Sequence, residues 1–232
     1  MAEPIPQFNQ VLTKSILSKL GKEDRESSKS LSRLTFAELY RQLDVEETKI
    51  IKNLLSLDPK PLGFLGPFVS MGEPPKDLIG LKDQKYTRDG KQHTISGRYL
   101  PKNVWHSFQK MQRAIKADTG SKLMVESGYR SPACQAITFL SYLDVSNFDV
   151  LYVASGVALP GYSQHGDPVH TACDVINQDG IPDDENPENF EHTKEYRWLI
   201  EHAQEFNFHL SYPRGNKFGV KFEPWHWQYL GN

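Results

Sequence analysis

The chain has 232 residues, 38% hydrophobic and 24% charged, with a formal net charge of −2. That length holds one or two domains with a sizeable core, and the near-neutral charge offers no global basic field for nucleic acid or an anionic membrane. No apolar run is long enough to span a bilayer, and the start, MAEPIPQFNQ, shows no basic segment followed by an apolar one, so no signal peptide is visible. The two cysteines, Cys134 and Cys173, make no disulfide framework; buried thiols or a single bridge both stay open.

Residues 1 to about 33 are polar, with a short apolar face at Val11, Ile16, Leu17 and Leu20. Thr35 with Glu38, and Asp44 with Glu47, have capping-box spacing ahead of apolar stripes, which predicts two helices. The stretch 59–75, PKPLGFLGPFVSMGEPP, is dense in Pro and Gly and reads as a linker or wrapped loop. We therefore divide the chain into a helical N-terminal region with its linker, 1–80, and a second domain, 81–232. Beyond the linker, a strand is expected over His93–Leu100. A helix over Val104–Ala117 follows, with Trp105, Phe108, Met111 and Ile115 inward, stopped near Gly120. Lys122–Glu126 alternates as a strand, and Pro132–Leu143 suits a helix with Pro in its first turn. Asn147–Val157 is ambiguous. Ala172–Asn177 reads as a buried strand, and the acidic run 178–192 as a solvated surface loop without EF-hand spacing. Thr193–Asn207 is expected as a helix with Tyr196, Leu199, Ile200, Ala203 and Phe206 along one side, and Phe208–Tyr212 and Trp225–Leu230 as strands. Helices and strands do not alternate regularly, so the class is α+β.

Of eight histidines, His93, His106, His192, His202 and His209 sit where surface or packing roles suffice. His165, in PGYSQHG, follows a Pro-Gly turn, and Asp174 lies on the next expected strand. Near the end, EPWHW puts Glu223 three residues before His226 among aromatics. Two neutral imidazoles and a carboxylate leave a fourth position for water, the donor set of a catalytic zinc site. Glu223, close to such a metal without binding it, could take a proton from the water, with aromatic walls raising its proton affinity. From spacing alone, that reading and one in which Glu223 and His226 are ordinary strand residues both stay open. The H-E-x-x-H helix motif is absent.

Four segments in order, SGYRSPACQ (127–135), PGYSQHG (160–166), ACDV (172–175) and EPWHW (223–227), resemble the VanY-type D-alanyl-D-alanine carboxypeptidases. These are zinc peptidases related to D-Ala-D-Ala dipeptidases, L,D-carboxypeptidases, phage endolysin peptidases and the hedgehog signalling domain. The resemblance covers roughly residues 95 to 232. It implies a small, mainly antiparallel sheet flanked by helices, here with an N-terminal helical extension. It also implies one Zn²⁺ per chain on His165, Asp174 and His226, with Glu223 as the base and Arg130 holding the substrate and steadying developing charge. Ser163 and Gln135 match positions that line the substrate pocket. One departure is the eight residues between His165 and Asp174, where six are usual. We read Asp167-Pro168 as a two-residue bulge, with His170 as the alternative ligand.

The implied substrate is a peptidoglycan stem peptide, losing its C-terminal D-alanine. L,D-carboxypeptidase, endopeptidase, or a catalytically inactive zinc-containing module that binds a peptide or partner are the alternatives; retention of both Glu223 and Arg130 speaks against the last. No nucleic acid and no membrane span are expected, and oligomeric state is not legible. Such a substrate implies the periplasm or the outside of the cell; against the missing signal, a trimmed chain, export without a cleaved signal or release by lysis are the alternatives, and the cytoplasm stays open.

Overall fold

The structure, a computed structural model, describes residues 7–26, 30–181 and 186–231; the opening residues 1–6 and the centre of the acidic loop, 182–185, lie outside them. In chain order the first elements are α1 (Gln10–Glu26), α2 (Phe36–Gln42), α3 (Val45–Leu55), β1 (Leu78–Gly80), β2 (Gln84–Arg88), β3 (Lys91–Ile95), β4 (Tyr99–Pro101) and α4 (Lys102–Thr119). They are followed by β5 (Leu123–Ser127), α5 (Pro132–Val145), α6 (Val150–Ala154), β6 (Ala172–Asn177), α7 (Glu188–Glu191), α8 (Lys194–His202), β7 (Phe208–Leu210) and β8 (His226–Tyr229). The fold is α+β, with small antiparallel sheets and helices around them. No described helix is long and apolar enough to cross a membrane.

The chain forms two compact units. The first holds Met1–Pro74, Arg130–Gly166 and Lys217–Lys221. Its helices start where their caps dictate. Asn9 Oδ1 accepts from the Leu12 N–H at the head of α1. Both expected capping boxes are made, by Thr35 with Glu38 on α2 and Asp44 with Glu47 on α3. Ser131 caps α5, whose first turn carries Pro132. The apolar α5 is buried nearly all round, through Ala133, Ala136, Ile137, Phe139, Leu140 and Leu143. It packs with Ile16, Leu20, Leu39, Ile50, Ile51 and Leu54 of the N-terminal helices in one core, each buried Leu or Ile contributing about 1.5–3 kcal/mol. Val11, expected on the apolar face of α1, is 77% exposed; Thr13 occupies the inward position before Ile16 and Leu20. The ambiguous stretch resolves as α6, because Asp149 accepts from the Tyr152 N–H and starts a helical turn. Residues 59–74 contain no helix or strand and wrap over this unit with Leu62 and Phe64 buried.

The second unit holds Pro75–Tyr129, Asp167–Asn216 and Phe222–Asn232. Its centre is a four-stranded antiparallel sheet in the order β5-β6-β8-β7. Leu123 and Val125 of β5 join Val175, Trp227 and the α4 residues Val104, Phe108, Met111 and Ile115 in one core, while Met124 faces the opposite side with Ile95 and Ile176. Trp105, expected inward, is half-buried and Val104 takes its place. Gly120 at φ 72° closes α4 in the left-handed conformation that glycine adopts without strain. The expected strand His93–Leu100 is two strands: β3 pairs with β2 and β4 with β1, and Gly97 at φ 66° turns the chain between them. On α8, Ile200 is 49% exposed; Trp198 is buried instead, its indole N–H donating to Asp118. Gln84 caps the outer edge of β5, its side-chain amide both donating to and accepting from the Val125 backbone.

Candidate functional site

The C-terminal motif is held by a tight turn. The His226 N–H donates to the Glu223 carbonyl at 3.1 Å, with Pro224 inside the turn, where its fixed φ suits the second position. The Glu223 N–H donates to the Tyr212 carbonyl (3.1 Å), and the Trp227 indole N–H to the Pro224 carbonyl (3.0 Å), so the turn is braced on both sides. One consequence is that the Glu223 and His226 side chains stand together: His226 Nδ1 lies 3.7 Å from Glu223 Oε2. Another follows from register. β6 and β8 pair Asp174 directly with His226, and His226 Nδ1 sits 2.9 Å from Asp174 Oδ1. His226 is 3% exposed; Asp174 and Glu223 are partly open. The Tyr212 ring lies against the His226 imidazole, centroids 4.7 Å apart at 33°.

His165 sits in a short 3-10 turn, Gln164–Gly166, and is buried. The Gly166 N–H donates to the Ser163 carbonyl, and the Arg130 N–H to the His165 carbonyl, each at 3.0 Å, which ties the SGYR segment to the His165 loop. One potential ligand atom from each of His165, Asp174 and His226 falls within 4.8 Å of the other two. Two imidazoles and a carboxylate are the donor types of a catalytic zinc site. His170, the alternative ligand, is outside that group. Asp167 Oδ1 accepts from the Val169 and His170 N–H groups and folds this stretch into a turn of its own.

The other candidates have distinct surroundings. Arg130 Nε is buried and has no hydrogen-bond partner among the described residues. Ser163 is buried. Gln135 is buried too; its amide N–H donates to the Ala158 carbonyl at 2.7 Å, while its Oε1 has no partner among the described residues. Cys134 and Cys173 are buried and are not joined in a disulfide. Burial, with the charge of Asp174 adding to it, pushes the Cys173 thiol well up, so it stays protonated beside the cluster. One contributor, Tyr212, escaped the sequence reading, and the hydrogen bonds that Asp167 accepts within its bulge were not foreseen. Tyr212 carried a signal only as the end of an expected strand.

Residues 97–232 match the family model VanY, D-alanyl-D-alanine carboxypeptidase. YodJ of Bacillus subtilis (strain 168), assigned as a carboxypeptidase, is 28% identical over 205 residues, covering 87% of this chain and 69% of its own. A D-alanyl-D-alanine carboxypeptidase of Enterococcus faecium is 27% identical over 160 residues, 67% of this chain and 45% of its own, so the match spans less than half of that relative. Among solved structures, LdcB, an LD-carboxypeptidase, has a TM-score of 0.56 and 23% identity over 75% of this chain and 78% of that one, a likeness of fold.

Proposed function

Because the chain belongs to the VanY family of D-alanyl-D-alanine carboxypeptidases, we propose that it is a zinc-dependent D,D-carboxypeptidase that removes the C-terminal D-alanine from peptidoglycan stem peptides outside the cytoplasm. The observation that carries this reading is the Glu223–His226 turn, which sets a carboxylate beside an imidazole already paired in register with Asp174. His165, Asp174 and His226 would hold one ion per chain. Zinc bound there supplies a Lewis acid that polarises the scissile carbonyl and acidifies water. Catalysis belongs to residues 81–232 on this proposal, with residues 1–80 in support.

The remaining chemistry falls to the side chains. Glu223 accepts the proton of the attacking water as its oxygen bonds to the carbonyl carbon. It then passes that proton to the amine nitrogen as the C–N bond breaks and D-alanine leaves. The Arg130 guanidinium binds the terminal carboxylate, or the oxyanion that develops, by forked charge-assisted hydrogen bonds. Ser163 lines the pocket. Gln135 gives one amide N–H to the Ala158 carbonyl and has its carbonyl oxygen to offer the pocket.

The test is release of D-alanine from pentapeptide and tetrapeptide stems, followed by mass spectrometry, with zinc measured on the same samples. Wild type is expected to carry one zinc and cut the pentapeptide; Glu223→Ala is expected to keep the zinc and lose about 10²–10⁴-fold in rate. Cleavage of the tetrapeptide instead assigns L,D specificity. Bound zinc with neither stem cut points to a crosslinked substrate or a binding module, and absence of zinc from wild type sinks the reading.

A further inference from the structure

The wrapped segment 59–74 precedes the part of the chain that matches the family, yet within its own unit it is fastened to the loop that carries His165. The Val69 and Ser70 N–H groups both donate to the Gly161 carbonyl, at 2.7 and 3.2 Å. Phe64 and Phe68 meet the Tyr162 ring edge-on, with centroids 6.1 and 5.6 Å apart. Gly161 has φ +88°, and a Cβ there would stand 3.0 Å from both Met71 Sδ and Phe68 Cε2. Backbone and side chains of the segment are thus closed against the Pro160–Tyr162 turn, immediately ahead of Ser163 and His165. Its other end is anchored independently: the Leu65 N–H donates to the Phe218 carbonyl, and Gly219 passes so close to Gly63 that a Cβ would lie 2.1 Å from its carbonyl oxygen.

We propose that this strap, through the two backbone N–H groups of Val69 and Ser70 on the Gly161 carbonyl, is a positioning element that fixes the His165 loop for metal ligation. The inference rests on the zinc reading above. A Pro-Gly turn has few conformations of its own to choose from, but the four residues from Gly161 to Gln164 could deliver the imidazole in several ways. Two donors on a single carbonyl, with an aromatic pair gripping the next ring, hold the turn to one of them. Partners that orient a ligand in this way are worth about 10–100-fold in metal affinity.

The experiment compares Val69→Pro, which deletes one donor, with Val69→Ala, which keeps it, and with Gly161→Ala. Zinc affinity is measured by competition with a chromophoric chelator, and the cobalt-substituted proteins are compared by visible absorption, with His165→Ala as the spectrum of a lost ligand. Val69→Pro and Gly161→Ala are expected to bind zinc about 10–100-fold more weakly, with cobalt spectra moving toward that of His165→Ala, while Val69→Ala stays at the wild-type value. Wild-type affinity and spectrum in Val69→Pro and Gly161→Ala, even with lowered thermal stability, would overturn the strap's role and leave the zinc reading standing. Equal losses in Val69→Ala and Val69→Pro would overturn the assignment to the backbone donors. A wild type without zinc removes both readings together.

Discussion

At Glu223 and His226, the proposed mechanism assigns proton transfer and ligation to two residues of one turn, so substitutions there separate the two roles. His226→Gln is expected to lose zinc and activity together, where Glu223→Ala loses only turnover; metal content beside D-alanine release tells them apart. A buried carboxylate elsewhere shows a different use of the same chemistry. Glu47, 1% exposed, accepts from Ser15 Oγ at 2.7 Å, from Lys19 Nζ and from the Asp44 N–H at 2.9 Å. Burial alone would raise its pKa, but these hydrogen bonds and the Lys19 charge outweigh it and hold the carboxyl below the ordinary value. A lowered folded-state pKa adds stability that is present above the usual glutamate pKa of about 4.3 and is lost as pH falls through the folded value. Urea unfolding should therefore show wild type more stable than Glu47→Gln at pH 7, with the gap closing towards pH 3. A constant gap would remove the ionised carboxylate as its cause.

Local sequence signals carried most of the elements and little of their pairing. The capping boxes at Thr35 and Asp44 were legible because each lies within four residues, and the stripe along α4 because burial of Phe108, Met111 and Ile115 follows helical spacing. Thr35→Ala is expected to cost about 0.5–2 kcal/mol, read from the denaturant midpoint. The division of 93–100 into β3 and β4 was not legible, since it depends on two separate partners, β2 and β1. Nor was the helical state of Asn147–Val157, which hangs on one Asp149 cap. The same distinction runs through the site. The residue types and order of its four segments could be read directly, whereas the register that opposes Asp174 to His226 is a non-local fact of β6 and β8. The Gln84 cap on β5 was invisible for the same reason. Gln84→Leu should leave the Val125 N–H and carbonyl unpaired and buried, at about 1–3 kcal/mol for each unsatisfied group, measured by thermal unfolding.

For the molecule as a whole, the N-terminal helices are part of the core that encloses α5 rather than an appendage. Ser131, the N-cap of α5, donates its N–H to the Ser32 carbonyl at 2.9 Å and its hydroxyl to the Leu34 carbonyl. A fragment limited to residues 81–232 would expose Ala136, Ile137, Leu140 and Leu143 where Ile16, Leu20, Ile51 and Leu54 now cover them. It is expected to bind a hydrophobic dye and to lose the sharp thermal transition of the full chain. A fragment that unfolds cooperatively without dye binding would show that α5 needs no cover. Zinc added to the full chain at 100 times its dissociation constant should stabilise it by about 2.7 kcal/mol, an increment that chelation reverses.

The turn closed by the His226 N–H on the Glu223 carbonyl also bears on how such a site can change over generations. One inserted or deleted residue inside it would displace the proposed base and the proposed ligand in the same event, because both side chains are set by one hydrogen-bonded ring. The stretch after His165 is built differently, since Asp167 gathers the residues up to His170 into a turn of their own. A change of length in that connection would therefore leave the EPWH ending intact, whereas the ending itself is kept or lost as one unit.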